Sequence, residues 1–306
     1  MSTTNLLDLR PLSIGELLDR TFRIFRKHFL TFVLIAIIMQ LPVSILQVGS
    51  ALMVNNFALG TMAGNPFDNP EIILPTMLVS LGIGFASFII TQVGTAALTQ
   101  AVSDSYLGRT VSFDSAFSRM GNTWFKLILA TIVGGFFMFG LLIPIMLGSF
   151  IPCLGFFIAL IGMFFLGAVA SILFSLLPPV VVLERASVID AVKRAWTLSR
   201  LRFWWVLGYL VLLTVLTFVI IFGPAAVIGV VLGLVLGEMS ILVQSIVQQS
   251  ATLVLTAVFL PIRIAAVTLM YFDLRIRFEG FDLVVLASAN ETVLDAAPNL
   301  TNKTIL

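Results

Sequence analysis

"SVIDAVKRAWTLSRLRF" (187–203) sets Asp190, Lys193, Arg194, Arg200 and Arg202 between two long apolar stretches. A shift of 174 positions, from 187 to 13, lays it on "SIGELLDRTFRIFRKHF" (13–29). Ser187 then meets Ser13, Asp190 meets Glu16, Arg194 meets Arg20, Trp196 meets Phe22, Arg200 meets Arg26 and Phe203 meets Phe29. A weaker copy, "SFDSAFSRMGNTWF", starts at Ser112 and keeps Arg119 at the same distance from its serine. Each copy precedes two apolar segments, so the chain reads as three units of one repeat. Their approximate bounds are 10–104, 110–184 and 185–280, within a single domain over 1–286.

The spacing within each copy predicts an amphipathic helix. Ser13 with Glu16, and Ser187 with Asp190, have the form of a capping box, in which hydroxyl and acid satisfy free amides at the helix start. Aspartate is the weaker choice for the second role. Ile14, Leu17, Leu18, Phe22 and Phe25 share one helical face, as do Val188, Ala191, Val192, Ala195 and Trp196. The charged residues lie mostly away from it. Such helices are elbows that lie along a membrane surface and turn the chain into the next span.

The surrounding composition makes the membrane explicit. Of 306 residues, 59% are hydrophobic and only 10% charged, with mean hydropathy +1.13, which excludes an ordinary soluble domain. Six stretches are long enough to cross as helices: 29–54, 73–101, 123–148, 151–182, 203–236 and 241–272. Several exceed one straight crossing and contain or adjoin Pro144, Pro152, Pro178, Pro179, Pro224 or Pro261, so kinks, tilt or projection past the headgroups are expected. A re-entrant hairpin at 223–240 is the alternative for the fifth. The fold class is therefore all-α, with six transmembrane helices in three pseudo-repeats, each preceded by an amphipathic helix.

Lysine and arginine fall before the first span, between the second and third, between the fourth and fifth, and after the sixth, whereas the intervening loops at 55–72, 149–150 and 237–240 have none. By the positive-inside bias both termini, and all three elbows, are expected in the cytoplasm. Residues 1–28 mix Asp8, Glu16 and Asp19 with basic residues and do not read as a cleaved signal. "GTMAGNPFDNPE" (60–71) reads as an extracytoplasmic loop, and 287–306 as a polar, disordered tail.

Several chemistries are excluded. Cys153 and His28 are the only residues of their types, so no intrachain disulfide, paired-imidazole metal site or two-histidine catalytic centre can form. No nucleophile motif or phosphate-cradling loop is present. No catalytic residue, metal or cofactor is expected, and a net charge of +2 implies no nucleic-acid partner.

Three sets of residues are candidates for function. Arg263, ten residues before Asp273, falls roughly 15 Å deep and needs a partner or water. Gln92 and Gln100, or Glu184 on a bent helix, are the candidate partners. Arg20, Arg23, Lys27, Lys193, Arg194, Arg200 and Trp196 are candidate contacts to anionic inner-leaflet lipid, each basic residue adding about 1 kcal/mol. Asp104, Glu184 and Asp273 recur at the ends of the even spans, where they either bind a cation or orient arginines of the next elbow. Gly229, Gly233 and Gly237 form a small-residue face suited to close helix packing. Gln244, Gln248 and Gln249 either line a polar path or pair between helices.

"RPLSIGELLDRTFRIFRKHF", "LPPVVVLE", "RAWTLSRLRFWWVLG" and "YFDLRIRFEGFDL" occur in that order over about 10–286. In this the chain resembles the bacterial glycerophosphoryl diester phosphodiesterase membrane domain family, which precedes a catalytic barrel in some enzymes and also occurs alone. The resemblance implies a bacterial inner-membrane protein with a multi-span helical fold. It implies no activity, because the family's chemistry belongs to the barrel, and the stretch after Phe281 contains no histidine. The leading expectation is a non-enzymatic protein that organises lipids or envelope partners, another membrane protein or a second copy, through its elbows. The alternative is a transporter or translocation subunit for a lipid-like or small solute, with its polar site near Arg263.

Overall fold

The computed structural model describes residues 12–62, 70–152, 154–235 and 240–280, with side chains except those of 54–62, 70–72, 232, 235 and 241. Arg10, Cys153, Gly237, Lys303 and the 287–306 tail lie outside them, as does most of the 60–71 loop.

Serine starts each elbow. The Ser13 hydroxyl accepts from the Glu16 amide while the Ser13 amide donates to the Glu16 carboxylate at 2.8 Å, opening α1 (Ile14–Lys27). Ser112 and Ser115 make the same reciprocal pair at α4 (Phe113–Met120). At α7 (Val188–Arg200) the shorter Asp190 binds the Ser187 hydroxyl at 2.6 Å instead of the backbone. Fixing each entry turn in this way stabilises an elbow by roughly 1 kcal/mol.

Six further rods are long and apolar enough to cross a membrane, making this an all-α polytopic membrane protein. They are α2 (Phe29–Met62), α3 (Pro70–Tyr106), α5 (Thr123–Ser149), α6 (Gly155–Glu184), a fifth rod and α10 (Ile241–Glu279). The fifth consists of α8 (Phe203–Thr217), a π-helical turn (Phe218–Phe222) and α9 (Gly223–Val235), which run on without reversing. The re-entrant hairpin is therefore not formed over the described part of 223–240. The loop expected at 55–72 is also narrower, because α2 continues to Met62 and α3 begins at Pro70.

The packing order closes on itself. The even-numbered spans α3, α6 and α10 all touch one another at the centre. Each odd span packs on the even span of its own unit and on that of the preceding one: α2 on α3 and α10, α5 on α6 and α3, α8 on α10 and α6. Each elbow packs on the preceding unit's even span, so α4 lies on α3, α7 on α6, and α1 on α10. Three equivalent units thus form a pseudo-threefold ring.

The core sits at the elbow side of that ring. Ala96, Ala97 and Leu98 of α3, Leu176, Leu177 and Val180 of α6, and Ala265, Ala266 and Met270 of α10 are fully buried there. Leu17 of α1, Ala116 of α4, and Ala191 and Ala195 of α7 complete it, so the elbows bury their apolar faces against protein. Away from the elbows, Leu74, Met77 and Leu81 of α3, and Phe156, Leu160 and Phe164 of α6, are exposed. These apolar surfaces face lipid in a membrane. Each even span ends in a left-handed residue, at Gly108, Arg185 and Gly280.

Candidate functional site

The three terminal acids are each bound by the neighbouring elbow. Asp104, 1% exposed, pairs with Arg119 of α4 at 3.1 Å and Arg109 at 3.7 Å. Glu184 receives Arg194 of α7 at 2.9 Å and the Tyr271 hydroxyl at 2.7 Å. Asp273 accepts the Leu12 amide, immediately before α1, at 2.7 Å and Arg277 at 2.7 Å. Asp104 and Glu184 thus engage arginines of the next elbow, whereas Asp273 holds its elbow through the Leu12 backbone and takes its arginine, Arg277, from its own helix. Among the described residues no cluster able to hold a metal ion forms.

Arg194 extends the network by reaching Glu279, which also binds Arg275 at 3.0 Å. Burial works against the charge on Arg194, but hydrogen bonds and attraction from Glu184 and Glu279 outweigh it and raise its pKa. Expected as a lipid contact, Arg194 is instead engaged within the protein. Arg20 stands over the Tyr106 ring at 4.9 Å. Arg23, Lys27, Lys193, Arg200 and Trp196 remain exposed on the elbows.

Arg263 stands apart from this ring. The Tyr209 hydroxyl donates to the Ala266 carbonyl at 3.2 Å, which aligns the two antiparallel helices. Seven steps along the chain from Arg202, the residue before α8, to Tyr209, then three along α10 from Ala266 to Arg263, place Arg263 about 15 Å beyond the start of α8. Among the described residues it has no hydrogen bond or ion pair. Its side chain instead lines two adjoining cavities. One, of about 390 Å³, lies between the central helices and is edged by Gln92, Thr95, Ser175, Thr214 and Thr268. The other, of about 670 Å³, lies between α10 and the fifth rod, with Ile221, Phe222, Ala226 and Phe259 in its wall.

A third cavity, of about 300 Å³, continues past Gly229, Gly233, Gln244, Gln248 and Gln249. It shares Gly229 and Gln248 with the second. The 24 positions from Gln244 to Thr268 extend over about 36 Å of helix, so the cavities follow α10 through the depth of a bilayer. The glutamines thus line cavities. Gly229 and Gly233 do not make the close approach expected of them: a Cβ at Gly233 would meet nothing within 4 Å. Helices approach closely at Gly94 instead, where a Cβ would lie 2.9 Å from that of Met39.

The partners expected for Arg263 need correction. Gln100 is buried and donates to Asp104 at 3.2 Å, one turn along its own helix. Glu184 is held by Arg194 and Tyr271. Gln92 does line the Arg263 cavity, with its amide donating to Thr131 at 3.0 Å. Ser175 and the π-helical turn carry no periodic signal, and only the assembled ring brings them to the cavities.

No family model matches the sequence, and no curated protein or solved structure shows significant similarity to it.

Proposed function

We propose that this membrane protein is a transporter or translocation subunit that binds a solute or amphiphile at Arg263. One observation carries this reading. A guanidinium about 15 Å deep, with no acid among the described residues to neutralise it, opens onto two cavities. Arg263 is exposed within the protein, but a charge without a counter-ion at that depth of a membrane costs at least about 2.5 kcal/mol, and a bound anion would offset that cost. Both volumes fall in the range of about 300–1,000 Å³ usual for small-molecule sites. On this reading the protein sits in a bacterial inner membrane with its elbows and termini in the cytoplasm. Membership of the phosphodiesterase membrane-domain family belongs to the same proposal and assigns no chemistry to the cavity.

The experiment is uptake or lipid flipping by the full chain in proteoliposomes, with labelled anionic solutes and lipids. Wild type moves at least one probe, and Arg263→Leu abolishes the movement. Full activity in Arg263→Leu would remove the site.

A second reading has its own observation. On α1 and α7 an exposed aromatic, Phe22 or Trp196, stands beside exposed cations, Arg23 and Lys27 or Lys193 and Arg200. That pairing suits an anionic leaflet, and through it the elbows organise lipids or envelope partners. Arg194 and Arg200 changed together to glutamine should lower retention of anionic lipid, with Arg200 responsible, since Arg194 faces Glu184 and Glu279. Unchanged retention counts against it.

A further inference from the structure

We infer that the occupant of the Arg263 site is an anionic amphiphile, with its oxyanion at the guanidinium and its hydrocarbon chain in the cavity beside the π-helical turn. The inference rests on the proposed use of that site and adds the chemical class of its ligand.

The two cavities meeting at Arg263 and Leu260 differ in chemistry. The first is edged by hydroxyls. Those of Thr95, Thr214 and Thr268 donate to carbonyls of their own helices, which leaves their oxygens as acceptors. Pro178 and Pro179 have no N–H to donate to the carbonyls of Phe174 and Ser175, so acceptors concentrate on the α6 wall. Ser175 has no hydrogen bond among the described residues, so its hydroxyl is an available donor on the wall of the cavity that Arg263 also lines. A headgroup with both an oxyanion and a donor of its own, such as a singly protonated phosphate, satisfies both sides.

The second cavity is mainly apolar. The π-helical turn inserts an extra residue per turn and carries Ile221 and Phe222 into its wall. Its rim runs onto the exposed side chains of Phe218, Val219 and Phe222, a surface that faces lipid in a membrane. A chain in that cavity can therefore reach it from the bilayer. No described acid lines either cavity, so the field at the junction favours a negative headgroup and repels a cation.

The test is native mass spectrometry of the purified full chain in non-ionic detergent, with dodecyl phosphate, butyl phosphate, inorganic phosphate and dodecyltrimethylammonium as probes. Wild type should retain dodecyl phosphate and release the ammonium compound. Arg263→Gln should weaken dodecyl phosphate by roughly tenfold to a hundredfold, the loss of one charge-assisted hydrogen-bonded contact. Gly229→Leu should weaken dodecyl phosphate and leave butyl phosphate unchanged. It is tolerated because the nearest atom to a Cβ there is the Gln248 Oε1, at 3.7 Å. If inorganic phosphate binds as tightly as dodecyl phosphate, or Gly229→Leu has no effect, the amphiphile is refuted while the Arg263 site stands. If the ammonium compound binds equally well, the anionic class is refuted. Unchanged binding of dodecyl phosphate in Arg263→Gln overturns the inference and the proposed site together.

Discussion

Replacing Glu184 with alanine removes the acid at which α6, α7 and α10 meet. Its carboxylate accepts from Arg194 at 2.9 Å and from the Tyr271 hydroxyl at 2.7 Å. Tyr271 is fully buried, so its O–H loses an acceptor where water cannot replace it; such an orphaned donor costs about 1–3 kcal/mol. The Arg194 contribution is smaller, because its side chain is 30% exposed and Glu279 remains at 2.6 Å. The sum is a loss of about 2–3 kcal/mol for Glu184→Ala. Glu184→Gln keeps an acceptor for Tyr271 and should lose only about 1 kcal/mol. Reversible unfolding in mixed micelles, followed by tryptophan fluorescence, measures both. A double-mutant cycle of Glu184→Ala with Tyr271→Phe, each of which removes that hydrogen bond, should give a coupling of about 1–3 kcal/mol. A Glu184→Ala variant within about 0.5 kcal/mol of wild type, or a coupling near zero, refutes the junction as a source of stability.

Asp273→Ala strips the Leu12 amide and Arg277 of their shared acceptor and should cost about 3 kcal/mol, with hydrogen exchange rising over α1 before α7. A rise spread evenly over all three elbows contradicts that assignment. Gly94→Ala sets a Cβ against that of Met39 and must push α2 from α3, lowering stability by about 1–3 kcal/mol. Gly233→Ala meets open space and should be neutral or mildly stabilising, which thermal unfolding of the pair will show.

Periodicity explains what could be read before folding. The serine starts, the apolar faces of α1 and α7, and the six long segments are all local, and each is set by neighbours within a few residues. The 174-position shift between Ser187 and Ser13 also made the threefold plan visible. What stayed hidden depends on closure of the ring. Leu12 meets Asp273 across 261 positions, and Arg194 meets Glu279 across 85. Gln100 looked like a partner for Arg263 because both are polar within spans. Which face of α3 each position occupies decides otherwise: Gln92 reaches the cavity and Gln100 reaches Asp104.

The same closure explains why cavities coexist with so strong a collar. Elbows at three corners clamp the even spans at one end, where alanines allow close contact and acids bind arginines. Nothing equivalent clamps the other end among the described residues, and the spans there carry bulky apolar side chains outward. Three central rods drawn together at one end and not at the other leave space between them, and that space runs from the level of Thr268 and the buried Ala265–Ala266 layer away from the elbows. Arg263 lies within one turn of that layer, where its side chain, like that of Leu260, reaches both the central cavity and the gap beside the fifth rod. A binding site at this level needs no separate scaffold. The elbows that turn the chain into the membrane also set the depth at which the bundle opens.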